Sequence, residues 1–319
     1  MTAPITNDPA EAADVIRRGG LAAFATETVY GLGANALDAA AVSRIFEAKQ
    51  RPEFDPLIVH VARPEAVDEL AVEASQAARA LMARFWPGPL TLVLRKRSIV
   101  PDIVTAGLET VGIRIPDHAQ ARELIRLAGC PVAAPSANLF GLVSPTQAAH
   151  VADQLGDRVD MILDGGPCRV GVESTVVDLS GAVPILRRPG GTTLEAIESA
   201  IGPVQTATTI LQGAAAPAPG MLDRHYSTRT PLRLWRPEDP VPMGRIGLLT
   251  WCAPAGDTRF AKVVDLSPEG DLACAAAALF GAMRSLDAAG LDVILATRFP
   301  ETGLGRAIND RLRRAAARG

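Results

Sequence analysis

Four short polar segments interrupt a chain otherwise rich in alanine, valine and leucine: residues 26–33 (TETVYGLG), 49–52 (KQRP), 134–138 (APSAN) and 171–175 (GVEST). Each puts hydroxyls, glycines or fixed cations where an apolar stretch ends, and element ends are where α/β folds hold phosphorylated ligands. Lys49 and Arg51 close an amphipathic helical stretch, where cations serve the helix dipole or a bound anion. Arg114 sits inside the apolar run 111–116 (VGIRIP). An unpaired buried guanidinium is costly, so its fork must meet either an internal carboxylate or a bound carboxylate or phosphate. Ser136 and Asn138 follow a strand as exposed donors. Ser144 with Pro145 has the pattern of an N-cap followed by proline at the first helical position, a natural anion site. Arg187 and Arg188 end another strand. His60, within the run 57–61 (LIVHV), is either a satisfied core residue or a ligand contact.

The chain offers no Ser/His/Asp or Cys/His set, no histidine cluster for a metal and no Walker A loop. Its chemistry is therefore expected to rest on positioning and charge stabilisation rather than on a covalent nucleophile. A formal charge of −3 over 319 residues argues against a surface that blankets a polyanion, and 4% aromatic residues disfavours a base-stacking platform. An RNA-binding module with a local basic concavity remains the competing class. The four cysteines are scattered without a Cys-x-x-Cys pair and are expected as small buried hydrophobes. No basic leader precedes an apolar run, and no run is long enough to span a bilayer, so a cytoplasmic protein without membrane contact is expected. The arginine-rich tail, five arginines from Arg306 to Arg318, is expected as a solvated helix face.

These segments must be positioned by interleaved strands and helices. Asp8 and Asp38 read as N-caps, the latter of a helix reaching Gln50. Short apolar runs at 21–25, 57–61, 91–94, 111–115, 131–134, 161–163, 174–179 and 184–186 read as strands, separated by helical periodicity. Several are too close for crossover helices, so a twisted mixed sheet is expected rather than a purely parallel one. The expected organisation is a catalytic α/β domain over 1–203, a linker or lid over 204–231, and a smaller, Rossmann-like α/β domain over 232–319.

In combination and order, the segments TETVYGLG, KQRP, PLIVH, WPGPLT, VGIRIP, APSAN, GVEST and RPG resemble the YrdC family. With residues 219–226 (PGMLDRHY) and 299–305 (FPETGLG), nearly the whole chain is similar to its longer, two-domain threonylcarbamoyl-AMP synthase form. That resemblance implies synthesis of threonylcarbamoyl-AMP and pyrophosphate from L-threonine, bicarbonate and ATP with Mg2+. The product would feed a tRNA threonylcarbamoyl transferase machinery that modifies the adenosine beside the anticodon. It implies that Thr28, His60, Arg114, Ala134 and Ser174 surround the threonine. The nucleotide set would be Lys49, Arg51, Asp55, Thr110, Ser136, Asn138, Ser144, Arg188 and Asp223, with Lys49 and Arg51 as the catalytic cations. Two positions depart from the family pattern. Asp55 stands where asparagine is usual, which requires pairing with Arg51 or a share in holding magnesium, and Asp223 stands where an aromatic residue is common.

Overall fold

The computed structural model describes residues 2–206, 225–252 and 258–317; residues 207–224 of the expected linker or lid, Asp223 included, lie outside them. An eleven-stranded sheet carries the first unit. In spatial order its strands are Ile5–Thr6, Met161–Leu163, Ala22–Phe24, Gly31–Asn35, Val132–Ala133, Ile58–His60, Thr110–Arg114, Leu90–Arg95, Thr175–Asp178, Ile185–Arg188 and Gln205–Thr206. Parallel and antiparallel pairings both occur, as the short connections demand. A four-stranded, all-parallel sheet follows, in the order Leu232–Leu234, Val293–Ala296, Ile246–Thr250 and Lys262–Asp265.

Local chemistry explains how the motifs are aimed. Asp38 caps the helix Ala39–Lys49 by accepting from Ala40 and Ala41 N–H groups, and the helix ends as Gln50 turns left-handed at φ 51°. That turn leaves Lys49 and Arg51 inside the protein. Strand register does the rest: His60 lies opposite Arg114 in a parallel pair, so both project from the same strand ends. Gly31 and Gly33 sit within a buried strand at ordinary φ. Close approach is what they supply. A Cβ on Gly33 would meet Phe24 Cε1 at 2.7 Å and Val132 Cγ1 at 2.8 Å.

Three expectations are corrected. The segment at Ser144 and Pro145 opens no helix; the helix starts at Ala148 after Gln147, and the Ser144 hydroxyl donates to Glu173 Oε1 at 2.6 Å instead. Local capping preference lost to a buried carboxylate that needed a donor. Cys168 alone of the four cysteines is buried, Cys130 is half-buried, and Cys252 and Cys274 are exposed. The tail helix Gly303–Ala316 is not a solvated arginine face, because Arg311 is fully buried beneath it.

The helices Leu272–Asp287 and Gly303–Ala316 share one apolar cluster with the first unit, in which Phe280, Ile308 and Leu312 pack with Val29, Val143, Val172 and Tyr226. Gly171 makes the close approach possible. It has φ +73°, and a Cβ there would lie 2.4 Å from Ala276 O in the helix Leu272–Asp287. Gly171→Ala is therefore expected to lower stability by about 1–3 kcal/mol through strain and overpacking. Denaturant titration of both proteins measures this; an unchanged midpoint would mean the two backbones do not touch.

Candidate active site

A single hollow collects most of the singled-out residues. It is lined by Thr26, Thr28, Val29, Gly31, Arg51, Ile58, His60, Arg114, Ala134, Pro135, Ser136, Glu173, Ser174, Arg188, His225 and Tyr226. These come from eight stretches of chain, most of them in or beside strands of the first sheet.

One end of the hollow is built around hydroxyls and a guanidinium. Arg114 is 3% exposed and pairs with Glu27 Oε1 at 2.7 Å, while its Nη1 donates to Thr28 Oγ1 at 3.0 Å and its Nε to Gly88 O at 3.2 Å. The buried fork is thus answered by an internal carboxylate and still borders the hollow. Thr28 and Thr26 share a hydroxyl–hydroxyl bond of 2.8 Å, and Ser174 Oγ shares another of 2.8 Å with Thr91. His60 meets Phe24 edge-on at 6.2 Å. Burial, reinforced by Arg114, pulls its pKa down to about 3, so the ring is neutral. Its Nδ1 is buried without a hydrogen-bond partner among the described residues.

The lining also carries two further cations. Arg51 forms a buried ion pair with Asp55 at 2.8 Å and donates to the carbonyls of Asp55 and Pro56. The Asp55 carboxylate thus pairs with Arg51, the first of its two possible roles. Arg188 donates through Nε and Nη2 to Ser174 O at 3.2 and 2.9 Å and through Nη2 to Ser174 Oγ at 3.2 Å. Burial lowers the pKa of both guanidiniums, an expression of the cost of desolvating them.

Not every candidate reaches the lining. Lys49 is 1% exposed with its ammonium beneath the 134–138 loop, donating to Ser136 O and Asn138 O; burial and then Arg51 depress its pKa. Asn138 braces the same loop by donating to Leu139 O and Leu142 O. Ser144 stands behind Glu173. Thr110 occupies the opposite end of the Thr110–Arg114 strand, paired with Arg95, away from this lining.

Among the lining residues not singled out as site residues are Glu173, His225 and Tyr226, and Glu27, which answers Arg114, was not singled out either. The two acids lie inside quoted motifs, and a carboxylate next to a buried arginine is the signal that finds them. His225 and Tyr226 arrive from the far side of the described gap. Burial holds the His225 ring neutral, with a pKa of about 3, and its Nδ1 also lacks a partner among the described residues. Tyr226 adopts φ +65° and stacks on Phe280 at 5.4 Å.

Residues 14–190 match the family described as Telomere recombination, and residues 192–317 match the one described as Threonylcarbamoyl-AMP synthase, C-terminal domain. The threonylcarbamoyl-AMP synthase of Bacillus subtilis (strain 168) is 46% identical over 98% of this chain and 94% of its own length. The enzyme of the same name from Pyrococcus abyssi is 46% identical over 96% of this chain and 93% of its own. The chain belongs to the threonylcarbamoyl-AMP synthase family. A crystal structure of P. abyssi Sua5 complexed with L-threonine superposes with a TM-score of 0.91 at 41% identity, covering 99% of this chain and 98% of that one. The likeness to that two-domain structure extends through both sheets. This threonylcarbamoyl-AMP synthase relative thus shares the arrangement as well as the parts.

The neutral histidines carry a pH signature. Histidine has an ordinary pKa of 6.5, and both His60 and His225 fall to about 3 on folding. Between those values the unfolded chain binds more protons than the native one. Stability is therefore fully present above pH 6.5 and declines as the pH falls toward 3, by about 1.4 kcal/mol per pH unit per histidine. Denaturant midpoints at pH 7 and pH 5 should differ accordingly, and His60→Asn should flatten the slope; a flat wild-type profile would show that both rings protonate in place.

Proposed function

We propose that the chain is an L-threonylcarbamoyladenylate synthase, converting L-threonine, bicarbonate and ATP to threonylcarbamoyl-AMP and pyrophosphate. The observation that carries this reading is the meeting of Arg51, Arg114, Ser136, Ser174 and Arg188 in one hollow lined by hydroxyls and cations. Threonine occupies the end with Thr28, His60, Arg114, Ala134 and Ser174. Arg114 takes its carboxylate, and the unpartnered Nδ1 of His60 suits a substrate hydrogen bond. Nearby positive charge and two uncharged imidazoles favour the neutral amine over an ammonium. That amine attacks the carbon of bicarbonate; water is lost and an N-carboxylate forms. Its oxygen then attacks the α-phosphorus of ATP, the bond to the β-phosphate oxygen breaks, and pyrophosphate leaves with the electron pair. An anionic nucleophile needs no strong general base. It needs charge neutralisation, which Arg51 and Arg188 provide from the lining and Lys49 from beneath the loop it braces.

Magnesium enters as part of the MgATP substrate. No group of three or more His, Cys, Asp or Glu residues is poised for a metal among the described residues, and Asp55 and Glu173 are both already paired with arginines. A phosphate-borne ion fits such a site better than a protein cage. The buried cations argue against the RNA-binding alternative, since they are recessed where a phosphate backbone could not track them. No helix among the described residues is long and apolar enough to cross a membrane. We place the reaction in the cytoplasm, with the reactive mixed anhydride passed to a tRNA threonylcarbamoyl transferase.

Arg51→Ala should lower threonine- and bicarbonate-dependent pyrophosphate release by about 10²-fold or more; near-normal turnover would remove Arg51 from the site. With the wild-type protein, valine in place of threonine should cost at least about 10² in kcat/KM, because the hydroxyl's partners would be left unpaired. Equal use of both amino acids would exclude a threonine-specific site.

A further inference from the structure

One side chain of the second domain binds the wall of the hollow directly. Arg311, in the helix Gly303–Ala316, has no solvent exposure. Its Nε donates to Glu173 Oε2 at 3.0 Å, its Nη1 donates to Pro189 O and to Asp310 Oδ2, and its guanidinium lies 5.6 Å from the centroid of the Tyr226 ring. Glu173 and Pro189 are two sides of one corner, since Glu173 precedes Ser174 and Pro189 follows Arg188. Across that corner Gly191 N donates to Glu173 O at 3.0 Å, and a Cβ on Gly190 would lie 2.3 Å from the same oxygen. Arg311 therefore clips together the two segments that present Ser174 and Arg188.

Glu173 lines the hollow directly. Burial opposes its charge, yet Arg311, Arg188 and the Ser144 hydroxyl hold its pKa at about 2. A bare carboxylate on the wall of a triphosphate site would repel the ligand, and it would also attract Arg188 away from the nucleotide. Pairing with Arg311 removes both effects. Domain docking has other supports: the shared apolar cluster, Arg284 donating to Val143 O, and the Arg306–Glu195 ion pair at 2.7 Å. Arg311 is not needed merely to hold the halves together.

We infer that Arg311 is a positioning residue for the nucleotide end of the catalytic hollow, supplied by the C-terminal domain, which neutralises Glu173 and keeps Arg188 directed at the triphosphate. This rests on the reading of the hollow as an ATP site. Ser174 Oγ has a second partner in Thr91 besides Arg188, so threonine binding should be less affected than ATP binding.

The test compares wild type, R311M and E173Q/R311M by pyrophosphate release, with melting temperatures and calorimetric ATP titration without threonine. R311M should raise the KM for ATP by about tenfold or more, because it leaves an uncompensated carboxylate beside the phosphates, while the KM for threonine changes by less than about threefold. The double variant, which removes that carboxylate's charge, should recover at least half of the lost ATP affinity on a logarithmic scale. A purely structural role would shift both KM values together and make the double variant no better than R311M; that outcome, or an unchanged ATP affinity in R311M, overturns the proposal. Failure of wild-type turnover would instead overturn the reaction reading, and the calorimetric comparison would still decide whether Arg311 governs nucleotide binding.

Discussion

Buried positive charge is the constraint around which this protein is organised. Lys49, Arg51, Arg114, Arg188 and Arg311 are each at most 7% exposed, and each must be answered where it lies. Arg114 takes Glu27, Arg51 takes Asp55, Arg311 takes Glu173, and Lys49 takes two loop carbonyls. Asp55 aside, those partners come from segments far apart in sequence. Satisfying the charges therefore fixes how helix ends, strand ends and the second domain sit around one hollow. Water is the cations' preferred partner, and a site that excludes it has prepaid the cost of desolvation before an anion arrives.

Much of the first unit was legible from short-range signals. Asp8 and Asp38 cap the helices their spacing suggests, and the apolar runs ending at His60 and Arg114 are strands. The mixed sheet followed from connections too short for crossovers. The failures have a common origin in long-range packing. Ser144 with Pro145 has the local chemistry of a helix start, but Glu173 claims its hydroxyl from 29 residues away. Gly31–Asn35 shows no alternation because its glycines are there to let neighbouring side chains close in. Arg311 looked solvated because nothing in the tail's own sequence says that a buried carboxylate awaits it.

The site was legible to a similar depth. Residue types and positions at element ends pointed to Thr28, Arg51, Arg114, Ser136, Ser174 and Arg188, and the family resemblance added His60 and Ala134; all eight lie in one lining. The partners that neutralise them were not, because pairing depends on register and on domain docking. Lys49, Asn138 and Ser144 stand one layer back, where they brace the lining instead of forming it. The division of labour suits the proposed chemistry. In that proposal, neutral imidazoles and hydroxyls surround an amine that must stay unprotonated, and fixed cations face phosphates that must shed charge into a leaving group.

Incorporation of labelled bicarbonate by the purified protein decides whether the hollow does this chemistry. With threonine and MgATP present together, label should appear in an acid-labile adenylate in step with pyrophosphate, and omitting either substrate should abolish it. A protein that binds ATP but incorporates no label under those conditions would contradict the proposed reaction.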